Sequence, residues 1–437
     1  MLFFPAILLG KTIAYFTKFF NLGGGSAAPG LYALKLEPNL VEKLSSNIPK
    51  NIVITGTNGK TTTSKMLAHF AKNSGLKVIR NHTGSNLERG IASTLISNYT
   101  LHPRPYLRSS EASSAYTLDL GIWELDEAAF NSVAPKLKPE IVVFLNVFRD
   151  QLDRYGEVDS MVKKWCQTLK TLDPKTLVLV NGDDANTAEL KKCFTGKVQK
   201  FGVKGLKITG EATEHQQGKG KLDYEARNIK FTGLKNSNFS LLTHNSTLLT
   251  RLPVPGLYHI YDFLASFAAG VNLGLAPKQI ISSLKSYSPA FGRVEKLPFG
   301  HIFLIKNPAG ATQVFETITP NIKPNDTLLL ALNDNLADGT DVSWIWDAKF
   351  EKLRTTNYKL QTICSGARAY DLANRLKYAG FDPEKIIIEP ELNKAFKQAR
   401  RNQKGHLFIL PTYTAMLELQ SILVKAGIKK HYWETES

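Results

Sequence analysis

The segment with the clearest chemical meaning is residues 56–63, which have the sequence GTNGKTTT. A short apolar run at 51–55 precedes it, and the apolar spacing of 64–70 predicts a helix after it. A glycine loop between a strand and a helix turns backbone N–H groups towards a phosphate, and the helix N-terminus adds partial positive charge. Lys60 would reach the outer phosphates, and Thr61 would offer its hydroxyl to magnesium. The segment, named here the phosphate loop, therefore predicts a site for ATP or a close relative.

The phosphate loop is shorter than the general pattern. That pattern has four residues between its two glycines, which would place the first glycine at Ile54. An ordinary glycine-rich turn is the alternative, but the strand and helix lie where a phosphate site needs them. The predicted nucleotide contacts of the loop are Gly56, Thr57, Asn58, Gly59, Lys60, Thr61 and Thr62.

Strands alternate with helices in the part of the chain that must hold this loop. Nearly continuous apolar runs are typical of a parallel sheet covered on both faces. Residues 197–250 have shorter alternating segments and predict an antiparallel addition. Helices are expected near 257–274 and 277–287. The predicted parallel strands are 51–55, 77–81, 120–125, 140–146 and 176–181.

A second alternating pattern begins after Arg293 and predicts a smaller Rossmann-like domain. Its expected strands are 301–306, 327–332, 360–364, 385–388 and 406–411, and its expected helices are 309–318, 368–379, 391–401 and 413–426. The fold class is thus α/β. We predict three regions: an N-terminal helix and linker (1–47), a central ATP-binding domain (48–290) and a C-terminal domain (291–437).

Polar residues follow several predicted strands, where ligand contacts lie in such sheets. Glu124 ends one strand and is a candidate magnesium ligand, although a lone glutamate there could be a solvated charge. Magnesium needs few protein oxygens, so Thr61 and one carboxylate would suffice beside phosphates. The polar run at 146–156 suits a nucleotide or metal site, whereas 181–184 (NGDD) could equally form a capping turn.

The densest polar run of the C-terminal half is 332–347, which contains four acidic residues and two tryptophans. This composition exceeds what a loop needs for solubility and suggests a functional role. The alternative is a set of aspartate turns that cap a helix beginning near Ser343. The residues alone leave open which of Asp338, Asp341 and Asp347 would act.

Composition indicates a globular protein that handles anionic partners. The chain has 437 residues, 43% of them hydrophobic, and a formal charge of +17. No recognisable nucleic-acid module or arginine–aromatic pattern is present, so we predict no nucleic-acid partner. Binding to anionic small molecules or to an anionic membrane surface would explain the positive charge. The alternative explanation is that the proteins of the source organism are generally basic. Three cysteines placed singly make a disulfide framework improbable and predict a cytoplasmic location.

The N-terminal segment leaves two interpretations open. Residues 1–10 are apolar, but Lys11 interrupts a run already too short to cross a bilayer. An amphipathic helix with Lys18 and several phenylalanines follows, either packing on the next domain or contacting a membrane interface. We expect packing, with 23–30 as a linker.

Several motifs together resemble the Mur ligase superfamily: GTNGKTTT at 56–63, Glu124, NVFRDQLDRYGEVD at 146–159, NGDD at 181–184 and FGRVEKLP at 291–298. Others are similar to its MurT-like members, the ligase-like subunits of lipid II isoglutaminyl synthase: KNPAG at 306–310, LNDNLADGTDVSWIWDAKFE at 332–351 and PTYTAM at 411–416. The resemblance covers nearly the whole chain.

This resemblance implies a heterodimer with a GatD-like glutamine amidotransferase that amidates the D-glutamate α-carboxyl of the lipid II stem peptide. ATP with Mg²⁺ would form an acyl phosphate, near Lys60, and ammonia from the partner would attack it. Asp341 would complete the partner's Cys-His-Asp triad. The remaining nucleotide contacts implied by the resemblance are His259, Asp262, Arg293 and Asn333. Peripheral contact with the cytoplasmic face of the membrane is a further expectation.

Three departures from the family pattern matter. Residues 197–250 contain no cysteine, so no zinc ribbon is expected. His259 and Asp262 replace two amide side chains at the adenine contact, and an ionised Asp262 cannot donate a hydrogen bond. Gln151 replaces the histidine of amino-acid-adding Mur ligases, which disfavours a stand-alone Mur- or folylpolyglutamate-type ligase. A nucleotide-binding scaffold without catalysis is disfavoured because Lys60, Thr61 and Glu124 are intact.

Overall fold

The computed structural model describes residues 2–19, 27–81, 85–99, 118–148, 158–205, 220–289, 292–354, 360–401 and 403–429. These residues form a nine-stranded sheet and a six-stranded sheet, each covered by helices. The predicted α/β class is therefore confirmed.

Three helices precede the first sheet: α1 (Phe3–Phe19), α2 (Ala28–Leu36) and α3 (Leu40–Ser45). The predicted packing of α1 is confirmed, because its inner residues Ala6 and Ile7 are fully buried. The predicted linker at 23–30 is wrong for its last three residues, which start α2; residues 20–26 lie outside the described ranges. Pro29 lies in the first turn of α2, where proline is favourable. The N–H of Gly30 donates to the Ser93 hydroxyl at 2.8 Å.

The first sheet has the strand order β2-β3-β1-β4-β5-β6-β7-β8-β9. Neighbouring strands from β2 to β7 pair in parallel, and β7, β8 and β9 pair antiparallel. The strands are β1 (Lys50–Thr55), β2 (Val78–Arg80), β3 (Leu120–Leu125), β4 (Ile141–Phe144), β5 (Leu177–Asn181), β6 (Val198–Val203), β7 (Tyr224–Thr232), β8 (Asn236–Leu242) and β9 (Thr247–Leu252).

Helices cover both faces of this sheet, which explains why its strands are almost continuously apolar. In β1, Ile52 and Ile54 belong to one core, whereas Val53 between them belongs to the core on the opposite face. The helices are α4 (Lys60–Asn73), α5 (Glu88–Asn98), α6 (Ala129–Leu137), α7 (Val158–Leu169), α8 (Ala185–Glu189), α9 (Leu257–Asn272) and α10 (Pro277–Ser283).

The prediction of a wholly antiparallel addition at 197–250 is wrong for β6. This strand pairs in parallel with β5, and β7 pairs in parallel with β6. The sequence of β6 alternates between polar and apolar residues, which is the pattern expected of an antiparallel strand. Nevertheless β6 lies between two parallel neighbours, and its apolar residues Phe201 and Val203 are buried in the core that α9 covers. The antiparallel part is limited to β7, β8 and β9.

The second sheet has the order β10-β11-β15-β12-β13-β14, parallel except for the edge strand β10. Each strand and helix predicted for this half is present, although β11 is shorter than the expected 301–306. The strands are β10 (Glu295–Leu297), β11 (Gly300–Ile302), β12 (Thr327–Ala331), β13 (Gln361–Ser365), β14 (Ile386–Ile388) and β15 (Leu407–Pro411). The helices are α11 (Pro308–Ile318), α12 (Trp344–Asp347), α13 (Ala369–Tyr378), α14 (Leu392–Arg401) and α15 (Tyr413–Lys425).

The cysteines differ from the expectation of three single residues. Cys166 of α7 and Cys193, just beyond α8, form a disulfide, whereas Cys364 is buried and free. The two paired residues are 27 positions apart, and only the packing of α7 beside α8 brings them together. Sequence spacing without a CxxC pair could not show this contact.

Candidate functional site

The phosphate loop connects β1 to α4, as predicted. Gly56 and Gly59 both have positive φ, 136° and 91°. A Cβ atom on Gly59 would lie 2.2 Å from Oδ1 of Asp262, and one on Gly56 would lie 2.8 Å from the carbonyl oxygen of Asn146. Both positions therefore require glycine, for backbone conformation and for space.

Asn146, two residues beyond β4, fixes the shape of the phosphate loop. Its carbonyl accepts from the Thr57 N–H at 3.0 Å, and its side-chain oxygen accepts from the Asn58 N–H at 2.8 Å. Its amide nitrogen donates to the Asn58 carbonyl at 3.0 Å. These bonds hold the loop between two parallel strands, at the sheet edge where ligands bind in such folds.

Glu124 lies where a magnesium ligand is needed. Its Oε2 accepts from the Thr61 hydroxyl at 2.8 Å, and its Oε1 accepts from the Ser64 hydroxyl and lies 3.7 Å from Arg80. The side chain is buried at the end of β3, next to β1. A carboxylate and a hydroxyl at the start of a phosphate-binding helix form a hard oxygen set that fits Mg²⁺. This geometry supports the predicted pair Thr61 and Glu124 over a solvated glutamate.

Lys60 lies over the loop with a buried counter-ion. Its Nζ donates to the carbonyls of Gly56 and Thr57 and to Oε2 of Glu127, the last at 3.1 Å. Burial raises the pKa of Glu127, but the charges of Lys60 and Lys306 outweigh that effect and leave it below its usual range. Glu127 is therefore ionised and holds Lys60 near the phosphate position.

Two residues of the C-terminal domain reach the phosphate loop, and sequence reasoning assigned neither a role. The side chains of Asn307 and Asn58 exchange hydrogen bonds at 3.0 and 3.2 Å. Nζ of Lys306 donates to the Thr57 carbonyl at 3.3 Å. Asn307 also caps α11 by accepting from the Gly310 N–H. The KNPAG segment is the only sequence signal that could have pointed to this contact.

A partly open cleft lies between the phosphate loop and the C-terminal domain. Of the predicted nucleotide contacts, Asn58, Gly59, Thr62, Asp262 and Arg293 line it. Its aromatic lining suits a purine ring, because stacked aromatic faces attract each other. These aromatic residues are Phe148, Tyr258, Tyr261 and Phe303.

His259 and Asp262 form a buried pair beside this cleft. His259 Nδ1 lies 3.4 Å from Asp262 Oδ2, and Thr63 donates to Oδ1 of the same carboxyl at 3.4 Å. Burial lowers the pKa of His259 and raises the pKa of Asp262, so it favours the neutral form of each. Only the protonated form of Asp262 could donate a hydrogen bond as the amide of the family pattern does.

The NGDD segment has a mainly structural role. Asp184 caps α8 by accepting from the N–H groups of Asn186 and Thr187, so the capping alternative is confirmed. Asp183 accepts from the hydroxyl of Tyr261 at 2.8 Å and thereby orients an aromatic ring of the cleft. The other predicted polar run is described only up to Phe148, since 149–157, with Gln151, lie outside the described residues.

The structure does not bring Asn333 to the nucleotide cleft. Its N–H donates to the Thr412 hydroxyl, its side-chain nitrogen donates to Thr414, and its oxygen accepts from the Ala367 N–H, at 3.0 to 3.1 Å. Asn333 thus joins the ends of β12, β13 and β15. Its contact with nucleotide stays a prediction.

Of the three aspartates of the acidic run that the sequence left open, Asp338 is buried, whereas Asp341 and Asp347 are exposed. Asp338 is buried and accepts from the Thr414 N–H at 2.8 Å. Asp341 is exposed in the loop before α12, and its Oδ1 accepts from the Ser343 N–H at 2.8 Å. Asp338 therefore serves the fold, whereas Asp341 lies at the surface.

The fold and the loop define a class. A phosphate loop after β1, a glutamate at the end of the neighbouring strand β3 and a second α/β domain against the loop are the arrangement of a Mur ligase-type nucleotide-binding protein. The family model of the Mur ligase middle domain matches residues 54–270, and that of the MurT ligase C-terminal domain matches residues 304–416.

Comparison with known proteins agrees. The chain is 31% identical to the lipid II isoglutaminyl synthase (glutamine-hydrolyzing) subunit MurT of Streptococcus pneumoniae, over 93% of this chain and 94% of that protein. The structure of MurF from Acinetobacter baumannii has a TM-score of 0.69 at 18% identity, covering 92% of this chain and 81% of that one. MurF from Thermotoga maritima, solved in complex with ADP, has a TM-score of 0.64 at 14% identity, covering 90% and 85%. The chain belongs to the MurT family.

Proposed function

We propose that the chain is the ATP-dependent activating subunit of a glutamine-dependent amidotransferase. Its substrate would be the D-glutamate α-carboxyl of the lipid II stem peptide, and its product D-isoglutamine. The Streptococcus pneumoniae relative is named as subunit MurT of the glutamine-hydrolyzing lipid II isoglutaminyl synthase. Its similarity to this chain extends over almost the whole of both proteins. The observation that carries the proposal is that Lys60 and Thr61 of the phosphate loop lie together with Glu124 of β3, which accepts from the Thr61 hydroxyl at 2.8 Å.

The chemistry follows from where charge develops. A carboxylate oxygen attacks the γ-phosphorus of ATP, ADP leaves, and an acyl phosphate forms. Lys60 stabilises the transferring phosphoryl group, because its ammonium is fixed over the loop by Glu127. Mg²⁺, held by Thr61 and Glu124, would neutralise charge on the phosphate oxygens. Ammonia then attacks the acyl carbon, phosphate leaves, and the nitrogen loses a proton.

The ammonia would come from a GatD-like partner subunit. Support for an interface near Asp341 comes from apolar side chains exposed in the same region, among them Leu336 and Trp346. Trp346 contacts the exposed ring of Tyr378 with centroids 5.6 Å apart. Exposed aromatic groups are enriched in protein interfaces. Asp341 at such a surface would orient the histidine of the partner's triad.

A stand-alone amino-acid ligase remains the alternative function. The amidotransferase and the stand-alone ligase would differ in the nucleophile that attacks the acyl phosphate. It is ammonia in the proposed reaction and the amino group of an amino acid in the alternative. The match of the C-terminal domain to the MurT family favours ammonia. Because the reaction consumes ATP and a peptidoglycan precursor, the proposed location is the cytoplasm.

Reconstitution tests the proposal. The chain and its amidotransferase partner are co-expressed and supplied with lipid II, ATP, Mg²⁺ and glutamine, and the stem peptide is analysed by mass spectrometry. We expect conversion of one acid to an amide that requires ATP and glutamine. Addition of an amino acid in the absence of the partner would instead support the stand-alone ligase.

A further inference from the structure

Helix α1 presents a large apolar face to solvent. Phe4, Leu8, Tyr15, Phe16 and Phe19 are each between 51% and 69% exposed. At 100° per residue these positions lie within about one third of the helix circumference. The rings of Tyr15 and Phe19 are stacked with centroids 6.2 Å apart, and Phe16 meets Tyr15 edge to face. The outward face therefore has two apolar parts, Phe4 and Leu8 near the start of α1 and the ring cluster of Tyr15, Phe16 and Phe19 near its end.

The opposite side of α1 fixes it to the protein. Ala6 and Ile7 are fully buried, and Gly10 lies so close to Ile96 of α5 that a Cβ atom would be 2.8 Å from it. Lys11 donates to the carbonyl of Tyr99, which follows α5, at 2.6 Å. Ala6 and Gly10 allow α1 to pack closely on the protein, and this packing directs the large aromatic rings of the other side to solvent. The exposure is thus a consequence of how α1 packs.

The sequence of α1 and α2 carries charge of one sign. The first 36 residues contain three lysines and no acidic residue. The first acid, Glu37, is paired with Lys43 at 2.6 Å. In α2, which packs against α1, Leu31 and Tyr32 are also exposed. An apolar face on a segment whose sequence carries lysines and no acidic residue is complementary to an anionic lipid surface.

We propose that the outward face of α1 lies in the surface of an anionic bilayer and holds the protein there. Among the described residues, no helix is long and apolar enough to cross a membrane, so the contact would be in the plane of the surface. A helix of 17 residues would place about 25 Å of its length along the bilayer. The value of this contact to catalysis rests on the function proposed above, in which the substrate carries a lipid. The binding itself does not depend on that function.

Vesicle co-sedimentation of the full chain tests the proposal, with vesicles of pure phosphatidylglycerol or pure phosphatidylcholine at low salt. The test variant is F4S/F16S/F19S, and the matched control is F231S/L249S, which removes exposed apolar groups from β7 and β9. We expect the wild type and the control to pellet with phosphatidylglycerol and the test variant to bind at least about tenfold more weakly. Raised salt should weaken the binding of the wild type. Thermal unfolding of both variants should match the wild type, because the replaced side chains are exposed.

Three results would overturn the proposal. The wild type could stay in the supernatant, or the test variant could pellet as well as the wild type. Equimolar partner subunit could abolish vesicle binding, which would make the face a protein interface.

The reconstituted complex separates this proposal from the proposed function. We expect F4S/F16S/F19S to lose amidation of bilayer-embedded lipid II while amidating a water-soluble stem-peptide substrate normally. Absence of amidation of either substrate by the wild-type complex would refute the proposed function, whereas the vesicle result would still support the membrane contact.

Discussion

The substitution Gly59→Ala tests whether the phosphate loop is as tightly built as the structure shows. Gly59 and Gly75 flank the same helix, α4, and both have left-handed backbones, with φ of 91° and 86°. A Cβ at Gly59 would meet Oδ1 of Asp262 at 2.2 Å, whereas a Cβ at Gly75 would meet no atom within 4 Å. Gly75→Ala is therefore a control with the same backbone cost and no collision.

The magnitudes follow from these contacts. Alanine in a left-handed conformation costs about 1 kcal/mol, so Gly75→Ala should lower the free energy of unfolding by about that amount. Gly59→Ala adds displacement of the buried Asp262 from Thr63 and His259, which we expect to cost about 2 kcal/mol more. The displaced loop should also bind ATP at least about tenfold more weakly, equivalent to about 1.4 kcal/mol.

Urea unfolding and calorimetric titration with ATP and Mg²⁺ measure both quantities. Adding Asp262→Ala removes the obstructing oxygen, so the double variant should lose less stability than the sum of its single changes. The reasoning would be refuted if Gly59→Ala matched Gly75→Ala in unfolding free energy and bound ATP like the wild type.

Three further predictions concern charged groups. Lys60→Ala should lower the amidation rate about 100-fold or more, whereas the control Lys65→Ala, on the same helix, should keep a rate near that of the wild type. An amidation rate of Lys60→Ala equal to that of the wild type would exclude Lys60 from catalysis. Asp341→Asn should reduce glutamine hydrolysis by the complex but leave ATP affinity unchanged, with Asp347→Asn as the control; unchanged glutaminase turnover would exclude the role in the triad. The pKa of Glu127 is held below its ordinary 4.5, against the effect of burial, by neighbouring lysines. Its ionised form therefore stabilises the fold above pH 4.5, and this contribution is lost as the pH falls through the lowered pKa. Glu127→Gln should be less stable than the wild type at pH 7, and the difference should shrink in acid when measured by urea unfolding; a constant difference would contradict the ion pair.

Local features of the site were predictable from the sequence because neighbours in the chain create them. The loop glycines, Lys60 and Thr61 lie between a strand and a helix that short apolar patterns identify. Glu124 could be placed since parallel strands end at a common sheet edge. The structure then pairs Glu124 with Thr61, which a strand-end position alone could not establish.

Contacts between distant segments were not predictable in this way. Lys306 and Asn307 reach a loop 249 residues earlier, through the packing of two domains. The disulfide of Cys166 and Cys193 depends on helix packing, and the hydrogen bonds of Asn333 join the ends of strands that are far apart in the sequence. In each case the sequence identifies a polar or reactive side chain but not its partner.

Transfer of oxygen from the substrate to phosphate tests the central claim most directly. The stem-peptide substrate is prepared with ¹⁸O in the D-glutamate α-carboxyl and incubated with the protein, its partner, ATP, Mg²⁺ and glutamine. An acyl phosphate intermediate passes one carboxyl oxygen to the phosphate that leaves, so the released phosphate should carry a single ¹⁸O for each amide formed. Amide formation with unlabelled phosphate would contradict activation of the carboxylate by the phosphate loop.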